Sequence, residues 1–306
     1  MLLKNKIDFT GIDNLNNYYD VSLKESRLNH LNHDPNFKFK LIDIANKKDL
    51  QDLFKDNNFD YVINLAAQAG VRYSITNPDS YINSNIIGTF NLLDYIKNYE
   101  IKHFIQASSS SVYGLADSFP LTELSPSDKP ESLYAASKKT NEVMCHSYSR
   151  IYNLPITCLR FFTVYGPFGR PDMAYYKFTK LIQDGEPIDV YNKGELQRDF
   201  TYIDDVTTSI LKLINKPPSK KNPGTPYNLF NIGNSNPVKL MDFIKIIENE
   251  LGKKARINFL PMQSGDVYKT FADCSKLENY IDFKPKISLE YGLREFIKWF
   301  KKFDKK

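Results

Sequence analysis

A chain of 306 residues, 42% hydrophobic and 25% charged, holds enough material for one large or two modest globular domains with a full core. The net charge of +5 comes from scattered lysines with no basic block interleaved with aromatics, which argues against a nucleic-acid surface and suits small anions such as phosphates. No apolar run approaches a membrane span or a signal peptide. The three widely spaced cysteines, Cys145, Cys158 and Cys274, fit reduced thiols in a cytoplasmic protein.

Taken in order, residues 7–13 read as a short apolar strand ending in an acid, and 21–28 as a helix-prone segment. His30-x-x-His33 follows in a polar loop without a second ligand pair, so no metal site is expected. Residues 37–43 alternate as a strand, 49–54 have helical spacing, and 61–67 read as a buried strand. One long helix is predicted over 81–99, a strand over 103–107, a helix over 133–152 and another buried strand over 155–162. Beyond it the alternation loosens. Residues 173–184 look helical, 188–191 form a strand, and 199–205 lead into a helix ending near Ile214. An exposed loop over 217–226 precedes a strand at 230–233 and a helix over 240–251. The basic, amphipathic tail from Trp299 reads as a frayed final helix packed by that tryptophan.

Strands alternating with helices imply right-handed crossovers and an α/β fold with a doubly wound parallel sheet. The sheet domain spans about 1–165. A smaller α/β domain covers about 166–306, with parts near 200–215 and 228–235 folding back onto the first. In such sheets ligands lie beyond the carboxyl ends of the strands. Asp13, Asp43, Leu65, Ala66, Ala67, the 107–111 loop, Phe162 and Thr163 all fall at such ends.

The chemistry centres on Ala107-Ser-Ser-Ser-Ser-Val-Tyr-Gly114, a hydroxyl-rich loop at a strand end, and Tyr134-Ala-Ala-Ser-Lys138, which opens a helix. Tyr134 and Lys138 stand four residues apart and share one helix face. An ammonium beside a phenol favours the phenolate and yields a general base usable near neutral pH. A serine hydroxyl from the loop can share the substrate's reacting oxygen. At the other end, Asp13 has the place of the acid that binds an adenosine ribose 2′-hydroxyl, which favours NAD over NADP.

These motifs occur in order with Gly11-Ile-Asp-Asn-Leu-Asn-Asn-Tyr-Tyr-Asp20, Leu65-Ala-Ala-Gln-Ala-Gly-Val-Arg72, Arg160-Phe-Phe-Thr-Val-Tyr-Gly-Pro167, Gly169-Arg-Pro-Asp-Met-Ala174, Arg198-Asp-Phe-Thr-Tyr-Ile-Asp-Asp205 and Gly265-Asp-Val267. The set resembles the extended short-chain dehydrogenase/reductase family, in its NAD-dependent epimerase/dehydratase branch, and within it looks most like the UDP-glucuronate 4-epimerases. The resemblance implies a Rossmann-like first domain, and a second domain that binds the nucleotide sugar. Tyr134 would take the 4-hydroxyl proton, Lys138 would lower its pKa and hold the nicotinamide ribose, and Ser109 would hydrogen-bond the 4-oxygen. NAD would further meet Asp13, Asn14, Asp43, Ile44, Leu65, Ala66, Ala67, Ser84, Asn85, Ala107 and Phe162. The UDP-sugar would meet Arg72, Ser109, Ser110, Ser111, Thr163, Arg170, Asp189, Tyr191, Arg198 and Asp266.

Dehydratases of the branch carry an Asp-Glu pair where this chain has Ser110 and Ser111, and its decarboxylases a glutamate at the Ser111 place. With no acid there, epimerisation is the chemistry left. A neutral UDP-hexose 4-epimerase and an inactive remnant that binds a nucleotide sugar or a partner remain the alternatives. The family also implies a homodimer through the 81–99 and 133–152 helices.

One departure stands out. The family opens with a strand, Gly-x-x-Gly-x-x-Gly and a helix, whereas this chain begins at what reads as that helix's last turn, residues 1–6. Gly11 lies inside the next strand and does not substitute. About 25 residues of ordinary element length are unaccounted for, and their strand would be central, beside the Asp13 strand. The reading therefore expects a start further upstream, a fragment, or a chain that has lost cofactor binding.

Overall fold

In the computed structural model, residues 1–219, 224–263 and 266–304 are described; Gly265 and part of the 217–226 loop lie outside them. The chain runs β1 (Phe9–Asp13), α1 (Val21–Leu31), β2 (Phe37–Leu41), α2 (Lys47–Lys55), β3 (Tyr61–Asn64), α3 (Tyr73–Thr76), α4 (Pro78–Tyr81), a π turn (Ile82–Ile87), α5 (Gly88–Ile96), β4 (His103–Ser109), a 3-10 turn (Ser110–Tyr113), α6 (Leu133–Tyr152), β5 (Ile156–Phe161), β6 (Thr163–Tyr165), α7 (Ala174–Asp184), β7 (Pro187–Tyr191), β8 (Gln197–Tyr202), α8 (Ile203–Ile214), β9 (Tyr227–Ile232), β10 (Pro237–Lys239), α9 (Leu240–Leu251), β11 (Arg256–Leu260), α10 (Ser275–Ile281) and α11 (Leu289–Phe303). The contacts divide it into two compact units, the first made of Met1–Ala116, Glu123–Phe161 and Thr208–Asn231 and the second of the remainder.

The first unit carries a parallel β1–β2 pair, registered from Phe9 on Phe37 to Asp13 on Leu41, and a four-stranded sheet in the order β3-β4-β5-β9. β3, β4 and β5 run parallel. Every residue of β4 is buried, as befits a strand covered on both faces by crossover helices. Leu50, Phe54, Leu93, Ile96, Phe104 and Ile156 form the centre of one shared core. Among the described residues no ladder joins β1 to β3.

The single helix expected over 81–99 is interrupted. α4 widens into the π turn and re-forms as α5, which stops at Ile96. Gly88 sits where this run crosses Ile44; a Cβ there would stand 2.6 Å from Ile44 Cδ1 and Cγ1. No periodicity in the sequence signals such a crossing. His30, expected in a loop, belongs to the last turn of α1.

In the second unit β8 lies between β6, parallel to it, and β10, antiparallel; β7 pairs with β11 in parallel. Its core is aromatic, with Phe200 stacked on Phe243 at 4.6 Å between centroids and Tyr175 edge-on to Phe296. The tail proves to be the end of a 15-residue helix, α11, capped by Ser288 Oγ; within it Trp299 stacks on Phe303 and packs against Phe168. Among the described residues no helix is long and apolar enough to cross a membrane.

Candidate active site

The site begins with α6. Ser132 Oγ accepts the Ala135 amide at 3.1 Å, and this cap fixes the first turn on which Tyr134 stands half-buried. Lys138, one turn further, is 3% exposed, and its Nζ donates to the Ala107 carbonyl of β4 at 3.1 Å. Burying an ammonium is unfavourable without such a partner. The bond ties the Tyr-x-x-x-Lys helix to the strand that carries the serine loop. On that loop Ser109 is buried; its Oγ donates to Ser111 Oγ at 3.0 Å and accepts the Ser111 amide at 3.2 Å. Ser110 and Ser111 are half-buried in the 3-10 turn.

Two residues outside the motif hold this arrangement. Tyr81, fully buried, sets its ring edge-on to Tyr134, with centroids 6.1 Å apart, and donates its hydroxyl to Ala69 O at 2.9 Å. Asn85 accepts from the Gln68 amide at 2.7 Å and donates to Gln68 O at 3.0 Å and Ser137 Oγ at 2.9 Å. The sequence reading listed Asn85 as a cofactor contact. Here it is fully buried and clamps the 65–68 turn to α6, while Ser84 beside it is half-buried. Tyr81 served the sequence reading only as a helix start; a buried ring is invisible in a list of polar candidates.

At the cofactor end, Asp13 closes β1 with its side chain half exposed, accepting the Leu15 amide at 2.7 Å and pairing with Lys24 Nζ at 3.5 Å. Asn14 Nδ2 donates to Asp43 Oδ2 at 2.9 Å, and Asp43 Oδ1 accepts from the Ala45 amide at 2.8 Å. This lattice joins the ends of β1 and β2. Ile44 is buried against Gly88, Leu65 is exposed, and Ala66 and Ala67 are half-buried. The donor set fits NAD: an outward carboxylate for a ribose diol, small side chains at a strand end, and a lysine at the next strand. Ala107 is buried at that strand. Phe162 is buried in the second unit, its amide bonded to Ile232 O at 3.0 Å.

The sequence reading did not find the pair beneath. Arg160, 1% exposed on β5, sends Nε and Nη2 to the two Glu142 oxygens of α6, both at 2.8 Å. Burial opposes the guanidinium charge, and the Glu142 carboxylate overcomes it, so the net effect raises the arginine's pKa. Arg160 also lies over the Tyr113 ring at 4.6 Å, and burial pushes that phenol up to about 12.

In the second unit Arg198 and Asp266, both expected at the nucleotide, bind one another, Nη2 to Oδ1 at 2.6 Å. Asp189 is exposed on β7 and accepts from Asn258 Nδ2 at 2.9 Å; Tyr191 ends the same strand, and Thr163 opens β6 half-buried. Arg170 grips the neighbouring Asp172 through Nε at 3.0 Å and Nη2 at 3.2 Å. Arg72 is exposed before α3, in the first unit.

A parallel α/β sheet with a helix-borne tyrosine and lysine behind a serine strand-end defines a Rossmann-like protein of the short-chain dehydrogenase/reductase kind. Residues 1–233 match the NAD dependent epimerase/dehydratase family, and the chain belongs to that family. Protein CapI of Staphylococcus aureus is 50% identical over 307 residues, covering 97% of this chain and 92% of that one. UDP-glucuronate 4-epimerase of Thermodesulfobacterium geofontis is 42% identical over 301 residues, covering 98% and 90%. The crystal structure of UDP-glucuronic acid 4-epimerase from Bacillus cereus, in complex with UDP-glucuronic acid and NAD, superposes with a TM-score of 0.91 at 34% identity, covering 99% of this chain and 94% of that one.

Proposed function

We propose that this protein is an NAD-dependent UDP-sugar 4-epimerase that interconverts UDP-glucuronate and UDP-galacturonate. The observation that carries the reading is the buried Lys138–Ala107 bond, which joins Tyr134 and Ser109 on two packed elements, with hydroxyls at 110 and 111 where acids would redirect the chemistry. The relatives named UDP-glucuronate 4-epimerase support the choice of sugar.

Tyr134 Oη takes the 4-hydroxyl proton and later returns it, so one group serves as base and then acid. Lys138 favours the phenolate and reaches the nicotinamide ribose. Ser109 Oγ hydrogen-bonds the 4-oxygen throughout. NAD, held by Asp13, Asn14, Asp43, Ile44 and residues 65–67 of the first unit, supplies a reversible hydride acceptor for C4 when bound. The 4-keto sugar turns over within the site before the proton comes back. In the second unit Arg198 exchanges part of its bond to Asp266 for diphosphate oxygens, where its planar fork fits. Thr163, Asp189, Tyr191 and Arg170 of the second unit complete the UDP-sugar contacts, and Ser110, Ser111 and Arg72 of the first unit suit the sugar carboxylate. Arg170 must then share its fork with Asp172. The exposed apolar side chains of Ile87, Phe90, Val143 and Ile151 support a homodimer through the α5 and α6 surfaces.

The test is conversion of UDP-glucuronate in the presence of NAD, followed by chromatography of the two uronates, with UDP-glucose and dinucleotide content measured in parallel. UDP-galacturonate forming faster than UDP-galactose is the expected result. Preferred turnover of the neutral hexose overturns the uronate assignment, and no turnover with NAD bound overturns the epimerase assignment.

A further inference from the structure

Three elements meet at one carboxylate inside the first unit. Glu142 Oε1 accepts from Ser108 Oγ of β4 at 2.6 Å and from Arg160 Nε of β5 at 2.8 Å, while Oε2 takes Arg160 Nη2 at 2.8 Å. All three side chains are buried. Ser127 Oγ adds a bond to Arg160 Nη2 at 3.1 Å and receives Lys139 Nζ at 2.7 Å. A bidentate buried pair specifies geometry strongly, because a shifted partner leaves a charge uncompensated.

The place of this knot matters more than its strength. Tyr134, Lys138 and Glu142 follow one another at four-residue steps along α6 and share its face. Ser108 stands between Ala107, whose carbonyl receives Lys138, and Ser109, the hydroxyl proposed for the sugar 4-oxygen. Side chains alternate along a strand, so the bond turning Ser108 toward α6 directs Ser109 to the other face. We propose that Glu142, clamped by Arg160, is a positioning residue for the reaction: by fixing Ser108 to α6 it sets the β4–α6 register that lets Lys138 act on Tyr134 and presents Ser109. The inference rests on Tyr134 being the proton acceptor. The titratable groups around Glu142 include Lys139, Cys145 and His146 of α6, Arg160 of β5, Tyr227 of β9, and Tyr113 through Arg160.

The experiment titrates phenolate absorbance of the full chain and takes the difference between each protein and its Tyr134→Phe counterpart, which isolates Tyr134 and needs no turnover. The parent is expected to show a midpoint below the ordinary tyrosine value of about 10. In Glu142→Gln it rises by about one pH unit or more, since the lysine charge is no longer held in place. Where turnover is measured, kcat per folded molecule, with the folded fraction taken from unfolding curves at the assay temperature, falls about tenfold or more while KM stays within about twofold. Ser108→Ala keeps the ion pair and removes one small hydroxyl. It shifts the midpoint the same way by less, and decides the matter if Glu142→Gln does not fold. Unchanged midpoints in the variants, with only a lower melting temperature, overturn the positioning role and leave Tyr134 as base. A parent with no depressed tyrosine overturns both.

Discussion

The Tyr81 ring stands edge-on to Tyr134 at 77°, so the residue proposed to move the proton is also packed against the structure by its ring. Such a pair contributes about 0.5–1.5 kcal/mol beyond burial, and phenylalanine keeps it. Tyr134→Phe is therefore expected to unfold within a few degrees of the parent and to lose turnover by at least about 10²-fold, the ordinary range for a deleted acid–base group. Thermal unfolding and the uronate assay check the two halves. More than about a tenth of parental activity would sink the assignment.

Gly88 tests the crossing of the π-turn helix over Ile44. An alanine there gains about 1 kcal/mol of helix propensity, yet its Cβ stands 2.6 Å from two Ile44 carbons, and overpacking of this kind typically costs about 1–3 kcal/mol. Ile44 follows Asp43, so the displaced side chain reaches the expected adenine contacts. Gly88→Ala is expected to lower urea-unfolding stability by about 1 kcal/mol and to weaken NAD binding severalfold. A stabilised protein with parental NAD affinity would show that the crossing relaxes freely.

Arg198 is bonded to Asp266 in the second unit, so a diphosphate would have to share its fork. If the guanidinium meets the diphosphate, Arg198→Lys keeps the charge and loses the fork, and UDP affinity measured by calorimetry falls about tenfold. Arg198→Ala falls further. Asp266→Asn, which frees the arginine, leaves UDP affinity equal or higher unless Asp266 itself holds the nucleoside. Equal affinities for parent and Arg198→Ala would remove Arg198 from the site.

Much of the first unit was legible because its signals are local. The buried apolar run of β4, the helix over Leu133–Tyr152 and the four-residue step from Tyr134 to Lys138 are written in consecutive residues. In the second unit β7 was legible as well, whereas β6, β8, β10 and β11 were not. β11, Arg256–Leu260, is largely exposed and alternates weakly, and β8 runs straight into α8 with buried residues that are polar as well as aromatic. The Glu142–Arg160 clamp depends on a helix and a strand meeting in space, and a mid-helix glutamate carries no mark of that. Asn85 carries a further role that its sequence position does not announce, tying the Gln68 backbone to Ser137 of α6.

His103 opens β4 at the end remote from the serine loop and is 1% exposed, with Nδ1 against Ile214 O at 3.3 Å and Nε2 against Thr157 Oγ1 at 2.8 Å. Burial drives its pKa down to about 4, with the backbone carbonyls of Ile214 and Leu213 opposing. The folded protein therefore holds a neutral ring where the unfolded chain, at about 6.5, takes up a proton. The stability present above pH 6.5 is lost as the pH falls from about 6.5 to about 4, and amounts to about 3 kcal/mol at the lower end. Other groups titrate in this window, so the comparison is with His103→Gln, which retains hydrogen-bonding capacity and has no proton to gain. Urea-unfolding free energies at pH 7.5 and 4.5 should fall by about 2–3 kcal/mol more in the parent than in the variant. Parallel losses in both proteins would mean that His103 protonates in the folded state, and that the β4 core admits a charge at this position.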